Sequence, residues 1–215
     1  MNKVKVKICG LRRPQDVEYV NALLPDFAGF VFAASKRQVT AAQAAQLKAM
    51  LAPQIKAVGV FVNADLDFIV QLARAGTIDI IQLHGDESTS YCQRLKQLTG
   101  LPIIRAVRVK DAASVAAANA YPADYLLFDT FAPGQYGGTG QRFDTKLLDA
   151  CGVSRPYFIA GGLDAVSVAG VIKNTKAFAV DVSGGVETDG FKDKEKIAAF
   201  IANVRNVRGD NDDKR

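Results

Sequence analysis

What this 215-residue chain lacks narrows it first. No apolar run approaches the ~20 residues that a membrane-crossing helix needs, so no membrane association is expected. The opening residues 1–10 alternate Lys with Val and Ile and carry no signal-peptide h-region. That predicts a first strand in an unprocessed, cytoplasmic protein. Cysteine is sparse. Cys9, Cys92 and Cys151 are odd in number, far apart and without a CxxC spacing, which argues against a disulfide framework or a zinc site and fits a reducing compartment. Despite a net charge of +5, Lys and Arg are scattered rather than clustered. Solvated helix faces plus a few anion ligands explain that balance better than nucleic-acid binding. No Pro/Gly/Ser-rich linker divides the chain. One domain over residues 1–207 is expected, followed by a charged, frayed tail at 208–215.

What is present alternates. Hydrophobic residues make up 49% and charged residues 23%, the balance of a soluble globular protein. Eight short β-rich runs are predicted at 4–8, 27–32, 56–61, 78–82, 103–107, 125–128, 157–160 and 179–182. Helical patterns fall at 14–23, 40–51, 65–75, 88–98, 112–120, 144–150, 165–172 and 193–207. Asp65, Ser88 and Asp111 stand where each can cap a first helical turn, and Gly76 and Gly100 where a helix must stop. The runs are apolar on consecutive residues, as in a parallel sheet covered on both faces. Strict alternation gives an α/β fold, and eight units of this length predict a single-domain (β/α)8 TIM barrel with parallel strands. A doubly wound sheet would want G-x-G-x-x-G after the first strand, where Cys9-Gly10-Leu11-Arg12-Arg13 stands instead.

In such a barrel, function gathers at the C-terminal strand ends. Those ends read Cys9, Ser35 and Arg37, Asn63, Gln82 and His84, Arg105 and Arg108, Asp129, Gly161-Gly162 and Asp181 to Ser183. Glycine pairs recur after the sixth, seventh and eighth strands, at Gly137-Gly138-Thr139-Gly140, Gly161-Gly162 and Gly184-Gly185. Backbone N–H groups in such turns form anion nests, which points to a phosphorylated small molecule. Asp129 ends an apolar strand beside the first of these loops. It is suited to general acid work, against the plainer role of a turn or cap residue. Cys9 reads equally well as a small buried hydrophobe or as a base activated by nearby positive charge. Arg37 is either an exposed charge or a fork for a substrate carboxylate. His84, the one histidine, either packs its loop or assists proton transfer.

These motifs, in this order, resemble the phosphoribosylanthranilate isomerases over nearly the whole chain. The resemblance runs from Lys7-Ile8-Cys9-Gly10 through Ser35-Lys36-Arg37, Val62-Asn63 and Gln82-Leu83-His84-Gly85-Asp86-Glu87. It continues through Phe128-Asp129-Thr130 and Ala160-Gly161-Gly162-Leu163 to Asp181-Val182-Ser183-Gly184-Gly185. It implies an Amadori rearrangement without metal or redox cofactor, with Asp129 as general acid and Cys9 as general base. It further implies that Arg37 holds the anthranilate carboxylate and that Gln82 and His84 line the substrate pocket. Backbone around Gly138, Gly140, Gly161, Gly162, Ser183, Gly184 and Gly185 would hold the phosphate, and Asp181 a sugar hydroxyl. The sequence departs from the family's habit at Lys36, Gln38, Thr145 and Gly184, none of them an implied acid, base or carboxylate ligand. A monomer is expected, since no long exposed apolar stripe is evident; a homodimer stays open.

Overall fold

The computed structural model describes residues 3–130, 148 and 151–207. Eight parallel strands close on themselves in chain order, β1 through β8, with β8 returning to β1. They are β1 (Lys5–Cys9), β2 (Phe27–Val31), β3 (Lys56–Phe61), β4 (Ile80–Leu83), β5 (Ile103–Val109), β6 (Tyr125–Thr130), β7 (Tyr157–Ile159) and β8 (Ala179–Val182). Helices α1 (Pro14–Leu23), α2 (Ala41–Met50), α3 (Leu66–Arg74), α4 (Thr89–Thr99), α5 (Ala112–Ala117), α6 (Val168–Lys173) and α7 (Lys194–Asn206) lie between and after them. The (β/α)8 expectation holds. No helix among the described residues is long and apolar enough to cross a membrane.

Local chemistry sets the helix starts. Asp65 accepts from the Asp67 and Phe68 amides, Ser88 from Tyr91 and Asp111 from Ser114, each satisfying a first-turn donor. Thr40 and Gln43 cap α2 reciprocally. Outward strand residues pack under the helices, where Phe32 stacks on Phe61 at 5.0 Å and Phe68 meets both edge-on at 5.8 and 6.3 Å. Inward residues fill the barrel. Phe27, Val58, Ile80, Ile104, Leu127 and Phe158 form its apolar centre, and Tyr125 and Phe178 lean on Phe158 at 5.8 and 5.7 Å. Each such side chain contributes about 1.5–3 kcal/mol by leaving water. The lower end of the barrel is therefore plugged.

Several boundaries differ from the sequence expectation, for physical reasons. β4 begins at Ile80 rather than at 78, because Asp79 is spent on the rim: its carboxylate takes the Ala57 amide at 2.7 Å and Lys48 at 2.5 Å. β5 and β6 run on to Val109 and Thr130, since Arg108 and Val109 pair in register with Asp129 and Thr130. The pattern at 112–120 is a short helix that tightens into a 3-10 turn over Ala118–Ala120. Cys151 lies in a turn, not on a helix. A hairpin between β8 and α7 was not foreseen. Its strands β9 (Glu187–Thr188) and β10 (Phe191–Lys192) are antiparallel, and Asp189 and Gly190 turn between them at φ 52° and 77°. The helix expected at 144–150 lies outside the described residues apart from Leu148, and so do the loop holding Gly138 and Gly140 and the tail at 208–215.

Candidate active site

Strand alternation decides what reaches the mouth. In β1, Val6 and Ile8 turn to the helices, while Lys7 and Cys9 turn inward. The same parity sends Gln82, Asp129 and Asp181 inward from β4, β6 and β8. Cys9, Gln82, Asp129 and Asp181 line one cavity of about 720 Å3 at the C-terminal strand ends, together with Arg37, His84, Gly161, Gly162, Ser183, Gly184 and Gly185. That volume suits a small organic ligand. Each described site residue expected from the sequence is thus brought to one pocket. Of the strand-end residues considered, Asn63, Arg105 and Arg108 do not line it. Asn63 instead ties down the loop after β4, accepting from the Asp86 amide at 2.7 Å.

Cys9 and Asp129 occupy different walls of the pocket, on β1 and β6. Both are buried. Burial pushes the Cys9 thiol above its ordinary range; Lys7 and Lys192 pull the other way without overcoming it, and Asp181 adds to the rise. Cys9 sits opposite Gly29 in the β1–β2 register, and a methyl group on Gly29 would lie 2.7 Å from its sulfur and 3.0 Å from its Cα. Glycine is required there by the thiol itself. Gly29→Ala is expected to displace the sulfur, lowering kcat at least about tenfold and stability by about 1–3 kcal/mol. Steady-state kinetics beside thermal unfolding test this, and an Ala variant with unchanged kcat would show that the thiol's location is immaterial.

Asp129 stands with its Oδ2 3.4 Å from His84 Nε2. On its other side, His84 Nδ1 is 3.2 Å from the Gln82 amide nitrogen. Beneath this row, Glu87 holds the β4–α4 loop. It accepts from the Asn63 amide at 2.8 Å and the Gly85 amide at 2.9 Å, and it pairs with Arg105 at 2.6 Å.

Arg37 is already engaged. Its Nε and Nη2 donate to the two Glu187 oxygens at 2.7 Å each. Glu187 also receives Lys192 Nζ at 2.6 Å. Burial opposes ionisation of Glu187, but the two cations outweigh it and hold its carboxyl below the usual range. A guanidinium has five N–H groups in a planar fork, so a second carboxylate can meet the edge that Glu187 does not use. Lys192 reaches on to the Ser183 carbonyl at 3.1 Å, and Ser183 Oγ donates to the Cys9 carbonyl at 2.9 Å. The Arg37 and Ser183 sides of the pocket are thus tied through the β9–β10 hairpin. After β7, Gly161 and Gly162 take φ of 91° and 62°. Gly185 packs so closely on the Leu163 carbonyl that no Cβ would fit.

The sequence reading missed Lys7, Glu187 and Lys192. For the last two a signal existed, since Asp-Gly between short extended runs marks a two-residue hairpin, and Thr188-Asp189-Gly190-Phe191 is such a stretch.

A closed parallel barrel with a thiol, a carboxyl and a guanidinium on its C-terminal rim defines a (β/α)8-barrel enzyme of acid–base chemistry. Sequence and structure comparisons narrow the class. The family model described as N-(5'phosphoribosyl)anthranilate (PRA) isomerase matches residues 6–203, and the chain belongs to that family. A relative named N-(5'-phosphoribosyl)anthranilate isomerase from Thermoanaerobacter pseudethanolicus is 43% identical over 205 residues, covering 95% of this chain and all of the relative. The phosphoribosyl anthranilate isomerase of Thermus thermophilus superposes with a TM-score of 0.82 at 30% identity, covering 95% of this chain and 100% of that one. Another solved phosphoribosyl anthranilate isomerase matches with a TM-score of 0.80 at 30% identity, covering 94% and 98% of the two chains. It holds reduced 1-(o-carboxyphenylamino)-1-deoxyribulose 5-phosphate.

Proposed function

We propose that Cys9 is the general base and Asp129 the general acid by which this enzyme isomerises N-(5-phosphoribosyl)anthranilate, a step of tryptophan biosynthesis. The observation that carries this assignment is the presence of both groups, buried, on different walls of one pocket. Asp129 donates its proton to the furanose ring oxygen, and the C1′–O bond breaks to leave an iminium. That cation makes the C2′ proton acidic. The Cys9 thiolate takes it, and the C–H electron pair forms the C1′=C2′ bond while the nitrogen becomes a neutral amine. The enolamine then gains a proton at C1′ and loses the one on its 2′-hydroxyl, giving 1-(2-carboxyphenylamino)-1-deoxyribulose 5-phosphate. Proton exchange with solvent resets the two groups.

Around this chemistry, Arg37 binds the anthranilate carboxylate through the edge left by Glu187, and Gln82 and His84 border the reacting sugar. Asp181 takes a sugar hydroxyl on Oδ1, a buried oxygen with no hydrogen-bond partner among the described residues. Gly161, Gly162, Ser183, Gly184 and Gly185 offer the phosphate backbone and hydroxyl donors. Gly138 and Gly140 belong to the same reading from sequence alone. A monomer in the cytoplasm completes it, in keeping with three free thiols.

The test follows the loss of anthranilate-type fluorescence from freshly made substrate. The wild type should turn over rapidly. Arg37→Met should raise KM by about 10–100-fold, the worth of charge-assisted hydrogen bonds at about 1.5–3 kcal/mol, with a smaller change in kcat. No turnover by folded wild type would sink the proposal, and an unchanged KM would sink the role of Arg37.

A further inference from the structure

Lys7 has no part in the scheme above, yet it is among the largest fully buried side chains of the described residues. Its ammonium lies inside the barrel, 2.8 Å from Asp181 Oδ2, with 0% of its side chain exposed. Taking two charges out of water costs several kcal/mol per ion. An apolar side chain would fill the same space, as Phe27, Val58 and Leu127 do on other strands. Nor is the pair closed on itself, because Asp181 lines the pocket and keeps Oδ1 without a hydrogen-bond partner among the described residues. Lys7 and Cys9 are two residues apart on one strand and face the same way, which puts the ammonium on the thiol's side of the sheet, where its charge favours the thiolate.

The other charged groups around the thiol do not replace it. Asp181 on β8 is of the wrong sign, Lys192 on the hairpin is committed to Glu187 and Ser183, and Arg37 after β2 is forked onto Glu187. Asp129, beside His84, comes from β6 on another wall. We infer that Lys7 is a positioning residue for the reaction: its ammonium, anchored by Asp181, is the counter-charge against which Cys9 releases its proton to solvent and stays ionised until C2′ arrives. The inference rests on the reading of Cys9 as the base. It explains why a buried cation is kept in a layer that packing alone would fill with carbon, and why its partner is a carboxylate that also faces the sugar.

The experiment is alkylation of the full-length protein by iodoacetamide across a pH series, read on the Cys9 peptide by mass spectrometry, beside kcat and KM on the same preparations. In Lys7→Met the midpoint of Cys9 alkylation should move up by about one pH unit or more, a tenfold loss of thiolate at fixed pH. Turnover should fall at least about tenfold in kcat, and less in 1/KM. Because Lys7→Met leaves Asp181 buried and alone, the variant Lys7→Met/Asp181→Asn removes both charges and keeps the barrel folded. It should retain an upward shift relative to wild type. A folded single or double variant whose alkylation profile overlays that of wild type overturns the inference, as does a shifted profile with unchanged kcat. Failure of the underlying reading is distinct: Cys9→Ser would then turn over normally, whatever the alkylation profiles of the Lys7 variants.

Discussion

Asp129→Asn is expected to lower kcat by about 10²–10⁴, the range removed with a positioned proton donor, while KM moves far less. The substitution keeps size and burial but leaves no acidic proton for the ring oxygen, so the furanose stays closed. Cys9→Ser should fall in the same range, because a hydroxyl is a far weaker base than a thiolate at neutral pH. The thiol also predicts a pH dependence of its own. Burial raises the Cys9 thiol, so the thiolate fraction of the free enzyme grows as pH rises through that elevated range. The rate of Cys9 alkylation by iodoacetamide should therefore climb on the alkaline side of neutrality before any plateau. An Asp129→Asn enzyme with wild-type kcat, correctly folded, would remove Asp129 from the chemistry.

The second large effect is on stability. Glu87→Ala should destabilise the protein by about 3–5 kcal/mol, the usual result of breaking one side of a buried ion pair. Arg105 would be left buried without its carboxylate, and the Asn63 and Gly85 amides would lose their shared acceptor. Part of the guanidinium's remaining support is the ring of Tyr121, 4.6 Å from its carbon, and two carbonyls from the same loop region, which do not neutralise it. Urea unfolding measures the change. A loss below about 1 kcal/mol would put the pair in the class of solvent-screened surface bridges. Since the same carboxylate sets the loop that begins at His84, kcat should also drop in whatever fraction remains folded.

The barrel was legible because eight apolar runs, well-capped helices and strand-end glycines agree with one another across the whole chain. Asp65, Ser88 and Asp111 cap where the sequence places them. Cys9, Arg37, Gln82, His84, Asp129 and Asp181 meet in one pocket because barrel topology gathers strand ends that are far apart in sequence. What stayed hidden depended on direction. In Lys5-Val6-Lys7-Ile8-Cys9, alternation reads as a strand with one watery face. Closure of the barrel turns that face inward, so Lys7 becomes a fully buried cation rather than an exposed one. Glu187 and Lys192 escaped for another reason: each is an ordinary surface residue type, and only the hairpin register sets them opposite one another against Arg37. Arg105 was expected at the mouth and is instead spent on Glu87. Polarity at a strand end does not by itself say which side of the sheet a residue serves.

The packing of Phe27, Tyr125, Phe158 and Phe178 below the pocket makes the barrel a blind well. Among the described residues, the pocket lies at the C-terminal strand ends, so substrate, product and solvent meet at that mouth. A departing molecule has to clear the entrance before another can occupy it, so the two compete for the same passage as well as for the same contacts. Exchange at that mouth, rather than leakage through the base, therefore sets what reaches the pocket.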